Sequence, residues 1–251
     1  MNTLEKNIKE YLENNNIEDK VSYFYYNTCS KETYLYRESV IYLAASTIKV
    51  PVVMAWTDLI EKGVVNKNTK FQYLERHYEE SDEKALYDTY SFNDYVPLSE
   101  MIELAIVYSD NPSNHMMREY YKNYSNETFR EWFAHFSKEK MKPDFYVKNQ
   151  MNASIMLEVM KTLYNHLDKY KELIDYMKIA AKGRYIQAND FDFDVAQKYG
   201  EYDKYEHTMA ILCTKEPLLV GIFTECANEN AKRIIQDISK IMVNYFYEKQ
   251  M

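Results

Sequence analysis

A chain of 251 residues, with 46% apolar and 28% charged side chains, can bury one substantial core and has the make-up of an ordinary globular protein. Its formal net charge of -8, with Lys and Arg scattered among Asp and Glu, excludes the concentrated basic face that nucleic acid requires. No apolar run of about eighteen residues exists to span a membrane, and Met1 to Lys6 lacks the basic start and apolar block of a secretory signal, so a cytoplasmic protein is expected unless its N-terminus was trimmed.

The spacing of Leu4, Ile8, Tyr11 and Leu12 predicts an amphipathic helix over 3–14 that ends in Asn14-Asn15-Asn16. Val21 to Asn27 and Thr33 to Arg37 are β-branched and aromatic runs parted by polar turn residues, the pattern of a hairpin whose tyrosines cover a sheet face. A helix then runs from Ser46 to about Lys62, closed by Gly63 as a left-handed cap. Pro51 cannot donate to the carbonyl four residues earlier and crowds it, so a distorted or 3₁₀ opening turn is expected. Residues 66–96, polar and aromatic with weak periodicity, read as loop with short helical pieces.

Leu98, Met101, Ile102, Leu104, Ala105 and Tyr108 mark the next helix, which stops at Ser109-Asp110-Asn111-Pro112. Asn before Pro also starts helices, so this tetrapeptide is a tight corner with Asn111 as N-cap of a helix through Met116, Met117 and Tyr120. Helical spacing recurs over 126–136 and 154–167, with 138–152 irregular between them. From Asp194 the period changes, and 195–201, 207–214 and 218–224 make an antiparallel meander. The final helix, from about Asn228 to Tyr247, puts Ala231, Ile234, Ile235, Ile238, Met242 and Tyr245 on one face.

These elements assemble into an α+β fold, with N- and C-terminal helices against a five-stranded antiparallel sheet and an all-helical lobe beside it. One domain over 1–251 is expected, its α/β lobe about 1–45 and 185–251 and its helical lobe about 46–184, with a cleft between them. Cys29, Cys213 and Cys226 are an odd number far apart and read as free buried thiols. The five histidines form no ligand spacing, so no metal or other cofactor is expected.

Ser46 and Lys49 share a face of the helix that begins near Ser46, which sets an amine beside a hydroxyl. Burial would lower the lysine pKa until the amine can take the hydroxyl proton, and the Ser46 amide at a helix start can donate to a developing oxyanion. The plain alternative is an amphipathic helix with a solvated lysine, because Ser-x-x-Lys arises often by chance. Ser109-Asp110-Asn111 alone is equally cap chemistry, and Lys198 alone a solvated strand lysine. The element order changes the weighing, because it brings all three segments to one cleft.

Ser46-Thr47-Ile48-Lys49, Ser109-Asp110-Asn111 and Lys198-Tyr199-Gly200, in this order and at these separations, resemble the three motifs of the serine β-lactamase and penicillin-binding-protein superfamily, class A in particular. The resemblance covers nearly the whole chain, since element order matches too. It implies Ser46 as acylated nucleophile, Lys49 as proton acceptor, and Ser109 as relay to the leaving nitrogen. Asn111 would hold the substrate's side-chain amide, and Lys198 would supply positive charge near the substrate carboxylate. Gly200 would let the strand approach the ligand, and the amides of Ser46 and Glu201 would form the oxyanion hole.

Two positions depart from that pattern. Tyr199 stands where a Thr or Ser hydroxyl contacts the substrate carboxylate, and its bulk narrows or reshapes the site. The class A glutamate that activates the deacylating water, followed four residues on by Asn, is absent from Lys140 to Asn149. Asp144, five before Asn149, is the candidate substitute, and Glu139 a weaker one. The resemblance therefore implies a β-lactamase-like serine hydrolase acting on a small β-lactam or acyl-peptide, with deacylation in doubt; a monomer is expected, though the sequence does not give the oligomeric state. The alternatives are a D-alanyl peptidase-type enzyme, which the missing export signal argues against, and a penicillin-binding module that does not turn over.

Overall fold

The computed structural model describes residues 3–226 and 228–250; Met1, Asn2, Ala227 and Met251, which the expected domain included, lie outside the described residues. Helix α1 (Thr3–Asn15) buries Leu4, Ile8 and Leu12 and stops where Asn16 turns left-handed, φ 54°. Strands β1 (Val21–Asn27) and β2 (Thr33–Tyr36) form the expected hairpin. Its register sets Tyr23 opposite Tyr36 and Tyr25 opposite Tyr34, and both pairs stack, with centroids 5.6 and 5.8 Å apart. These tyrosines therefore serve cross-strand packing.

After β3 (Tyr42–Leu43) the chain makes a 3₁₀ turn, Ala45–Ile48, and only then the regular helix α2 (Lys49–Glu61). The distorted opening expected from Pro51 is present, and Gly63 takes the left-handed cap at φ 69°. The stretch expected to be loop contains more order than its periodicity suggests. Strand β4 (Lys70–Gln72), a 3₁₀ turn at Glu75–His77, helix α3 (Ala85–Thr89) and strand β5 (Tyr95–Pro97) occupy it. β4 and β5 pair antiparallel and bury Phe71 and Val96; strands of three residues are too short to show a period.

The helical middle continues with α4 (Leu98–Val107), α5 (Asn111–Tyr121), α6 (Phe129–Ala134) and α7 (Pro143–Val147), then β6 (Gln150–Met151), α8 (Ala153–Asn165) and α9 (Lys171–Ile179). β6 pairs with β3. The N-cap of α5 is Asp110, not Asn111: the Asp110 carboxylate accepts from Ser113 N at 2.7 Å, which frees the Asn111 side chain for other contacts. The meander is β7 (Val195–Tyr202), β8 (Tyr205–Leu212) and β9 (Leu218–Thr224), and α10 (Asn228–Glu248) closes the chain.

The five-stranded antiparallel sheet has the order β2-β1-β9-β8-β7. Alternating side chains divide its faces. Tyr23, Tyr25, Ala210, Leu212, Val220 and Ile222 meet the apolar stripes of α1 and α10. On the other side Phe24, Met209, Ile211, Leu219 and Phe223 join the core of the helical layer. β7 is left as an edge strand, and the chemistry gathers along it. Of the cysteines, Cys29 is exposed and Cys213 and Cys226 are half-buried, so none is the fully buried thiol expected. Among the described residues no helix is long and apolar enough to cross a membrane.

Candidate active site

The turn that carries Ser46 is fixed from three sides. Ala45, just before it, has φ 46°, a left-handed value costing a residue with a Cβ about 1–2 kcal/mol. Loop 149 braces it: Ala44 N donates to Asn149 O at 2.7 Å, and Asn149 Nδ2 donates to Ala45 O at 3.3 Å. Beneath it, His207 on β8 donates from Nε2 to Leu43 O at 2.8 Å and accepts from Thr224 N at Nδ1, 3.1 Å. Those two partners assign a neutral imidazole, and full burial holds its pKa down to about 4. The third side is β7, where a Cβ on Gly200 would lie 2.7 Å from Ser46 N and 2.8 Å from Thr47 N. Only glycine lets the edge strand come this close.

Lys49 follows one helical turn later and is 1% exposed. Its Nζ donates to Ser46 Oγ at 2.7 Å, to Asn111 Oδ1 at 2.7 Å and to Ser109 O, and lies 3.2 Å from Ser109 Oγ. Desolvation brings its pKa down to about 8, against the opposing pull of Glu83 and Asp110. The solvated lysine of the plain reading is ruled out by this burial. Ser109 itself sits left-handed at the corner, φ 59°, which turns its carbonyl and its hydroxyl toward the same ammonium. Asp110 beside it is fully buried and accepts from the amides of Leu86 (2.9 Å) and Ser113 (2.7 Å). Burial nonetheless raises its carboxyl above the ordinary value.

From β7, Lys198 donates to Ser109 Oγ at 2.9 Å and to Tyr199 O at 3.1 Å. Complete burial lowers its pKa well below the ordinary lysine value, and the neighbouring Lys49 charge adds to that. Ser46, Lys49, Ser109, Asn111 and Lys198 thus form one hydrogen-bonded cluster. Tyr199 stacks on Tyr185, with centroids 5.0 Å apart, and the Arg184 guanidinium covers both rings at 5.1 and 5.3 Å. The Glu201 side chain is exposed and turns away from the cluster, toward the Tyr185 hydroxyl and Arg184.

One member of the cluster has no counterpart in the sequence-based expectation. Glu83 reaches into the cleft, where Tyr199 Oη donates to its Oε1 at 3.2 Å. Ser46 Oγ donates to its Oε2 at 3.4 Å, and Lys49 Nζ is 3.7 Å from that oxygen. A single glutamate in a stretch without periodicity carries no sequence signal. Asp144, by contrast, does not join: its exposed carboxylate pairs with Lys148 at 2.5 Å on the outside of α7. Glu139 is likewise exposed. The residue four before Asn149 is Phe145, 1% exposed and stacked on Phe133, with centroids 5.5 Å apart. A phenyl ring in the core therefore stands at the spacing where the resemblance calls for a carboxylate.

The fold has counterparts among known structures. The chain superposes on PBP-A with a TM-score of 0.83 at 16% identity, covering 99% of this chain and 97% of that one. It superposes on the last common ancestor of Gram-negative bacteria class A β-lactamase at 0.80 and 16%, covering 98% and 100%. For the chromosome-encoded β-lactamase of Vibrio parahaemolyticus the values are 0.80 and 13%, covering 97% and 99%. These likenesses show the fold, which is that of class A β-lactamases and PBP-A. A comparison with curated protein sequences gives no match. The family model for the β-lactamase enzyme family spans residues 3–246, nearly the full length, and on that match the chain belongs to the β-lactamase enzyme family.

Proposed function

We propose that the protein is a serine acyl-transfer enzyme that opens a β-lactam or related acyl bond by acylating Ser46, and that its acyl-enzyme is long-lived. The observation that carries this reading is the buried Lys49 amine 2.7 Å from Ser46 Oγ, with a pKa of about 8. A neutral Lys49 keeps two N–H bonds, to Ser109 O and Asn111 Oδ1, and turns its lone pair to the Ser46 hydroxyl. Ser46 Oγ then bonds to the carbonyl carbon while its proton passes to Lys49. The developing oxyanion is held by the amides of Ser46 and Glu201, across the close contact that Gly200 permits.

Collapse of the tetrahedral intermediate breaks the bond to the leaving nitrogen, which takes a proton from Ser109 Oγ. Ser109 is reprotonated by Lys49, 3.2 Å away, and Lys198 at 2.9 Å polarises its oxygen. Hydrolysis of the ester needs a water and a base. The position that supplies one in the resemblance is Phe145, Asp144 faces solvent, and the carboxylate that does lie beside Ser46, Glu83, is already engaged by Tyr199 and Lys49, so a slow second half-reaction is expected. Intact mass after hours with millimolar penicillin G tests the reading. A covalent adduct mapped to Ser46 and absent from Ser46→Ala is the expected result, and no adduct on Ser46 overturns it.

A further inference from the structure

We infer that the cavity at Arg118 and Arg130 is a binding site for a phosphate-type oxyanion, separate from the acylation cluster. The cavity, about 340 Å³, opens where the last turn of α5, the start of α6 and the end of α7 meet. Arg118, Phe129, Arg130 and Tyr146 line it, together with His115 and Glu119. None of these residues belongs to the cluster around Ser46.

Arg130 is 5% exposed. Its Nε and Nη2 both donate to Phe145 O, Nε at 2.8 Å, and Nη2 also donates to Gln150 O at 2.9 Å. A guanidinium is flat, so the edge those two nitrogens share faces the 143–150 loop and Nη1 lies on the other side, where it is buried without a hydrogen-bond partner. Arg118 is half-buried and makes no hydrogen bond or ion pair with any described residue. Burial lowers its pKa, and burial together with the Arg118 charge lowers that of Arg130. No free carboxylate answers the two: Glu119 accepts from Arg76 at 3.1 and 3.2 Å and lies 3.3 Å from His77, and Glu79 lies 3.3 Å from His115.

Two guanidinium groups drawn out of water beside each other, with no counter-charge, are costly to the fold. The C-terminal end of α5 favours one cation at Arg118 and does nothing for a second at Arg130. A tetrahedral oxyanion supplies what is missing. It would take a bidentate pair from Arg118, whose fork is uncommitted, and a further bond from Arg130 Nη1. Phe129 and Tyr146 border the same space with aromatic surface, so free phosphate and a phosphate monoester present the shared chemistry.

Nitrogen-15-edited NMR of the arginine Nε–H groups, on the intact chain titrated with sodium phosphate at constant ionic strength, tests this site locally. Saturable shifts of the Arg118 and Arg130 signals at millimolar phosphate are expected, with binding weakened about tenfold or more in Arg118→Gln. Arg118 is half-exposed, so that variant should fold; if it does not, the wild-type signals decide the matter alone. Phenyl phosphate in a parallel titration separates the two sources: tighter binding than inorganic phosphate marks a monoester site, and equal or weaker binding marks a site for the free ion. Phosphate that leaves both signals unmoved, or that shifts only Arg184 beside Tyr199, overturns the inference. Equal phosphate affinity in wild type and a folded Arg118→Gln overturns it as well. Each of these results leaves the acyl-serine reading standing, because Ser46 acylation does not pass through this cavity.

Discussion

Lys49 Nζ and Ser46 Oγ are 2.7 Å apart in a pocket that leaves the lysine 1% exposed, and the same burial that joins them sets the amine near pKa 8. The neutral amine is the form that accepts a proton, so acylation should depend on pH through this group. Its rate is expected to climb about tenfold per pH unit below the midpoint and to level above about pH 8. Glu83 is the largest influence holding that pKa up, so Glu83→Gln should move the midpoint to lower pH. Lys49→Arg, which stays protonated, should lose on the order of a hundredfold to ten-thousandfold in acylation rate. Stopped-flow acylation profiles from mildly acidic to alkaline pH decide each point, and a flat profile would contradict the assignment.

Gly200 is the contact through which the sheet addresses the nucleophile. A methyl group there would stand 2.7 Å from Ser46 N and 2.8 Å from Thr47 N, against backbone atoms that cannot rotate away. Gly200→Ala should therefore push β7 off the nucleophile turn and widen the gap between the Ser46 and Glu201 amides. A displacement near 1 Å is expected to lower acylation about a hundredfold, while far-ultraviolet circular dichroism stays native. Wild-type acylation rates in the Gly200→Ala variant would show that the close approach is irrelevant to the chemistry.

The lifetime of the acyl-enzyme is the next expectation. Asp144 is paired outward with Lys148, so Asp144→Asn should leave the decay of the Ser46 adduct unchanged within about twofold. Time-resolved intact mass after removal of excess penicillin G measures this directly. An adduct in wild type that vanishes within seconds, or one that is greatly prolonged by Asp144→Asn, would overturn the reading of a slow second step.

Much of this site was legible in the sequence because each motif sits at an element boundary with its own signal. Pro51 announced the irregular turn at Ser46, Asn111-Pro112 announced the corner at Ser109, and the change to a two-residue period announced the strand of Lys198. Other features had no local signature. β4 and β5 are three residues each and exist by pairing with one another across the chain. Helix α9, with Leu173, Ile174 and Met177 buried, is a short stripe in a stretch for which no element was assigned. Glu83 is placed by the bond from Asn111 N to its carbonyl and by the bond from Leu86 N to the Asp110 carboxylate, so its role depends on tertiary contacts that no spacing encodes. The cap of α5 moved from Asn111 to Asp110 for a related reason: Lys49 and Ser81 engage both ends of the Asn111 amide.

His207 links the stability of the fold to the geometry of the nucleophile turn. It is fully buried and neutral, bonded to Leu43 O and Thr224 N, with its pKa lowered from 6.5 to about 4. The unfolded chain takes up a proton on this residue below about pH 6.5, whereas the folded protein resists until about pH 4. Between those values the unfolded state binds more protons, so stability rises with pH across the window and is lost as pH falls through it. The full effect is about 3 kcal/mol. His207→Gln can offer the same donor and acceptor without titrating. Urea unfolding at intervals from pH 4 to 7 should show wild type losing more stability than the variant toward acid, even where the variant starts lower. Parallel pH dependences for the two proteins would mean that His207 is not the group responsible.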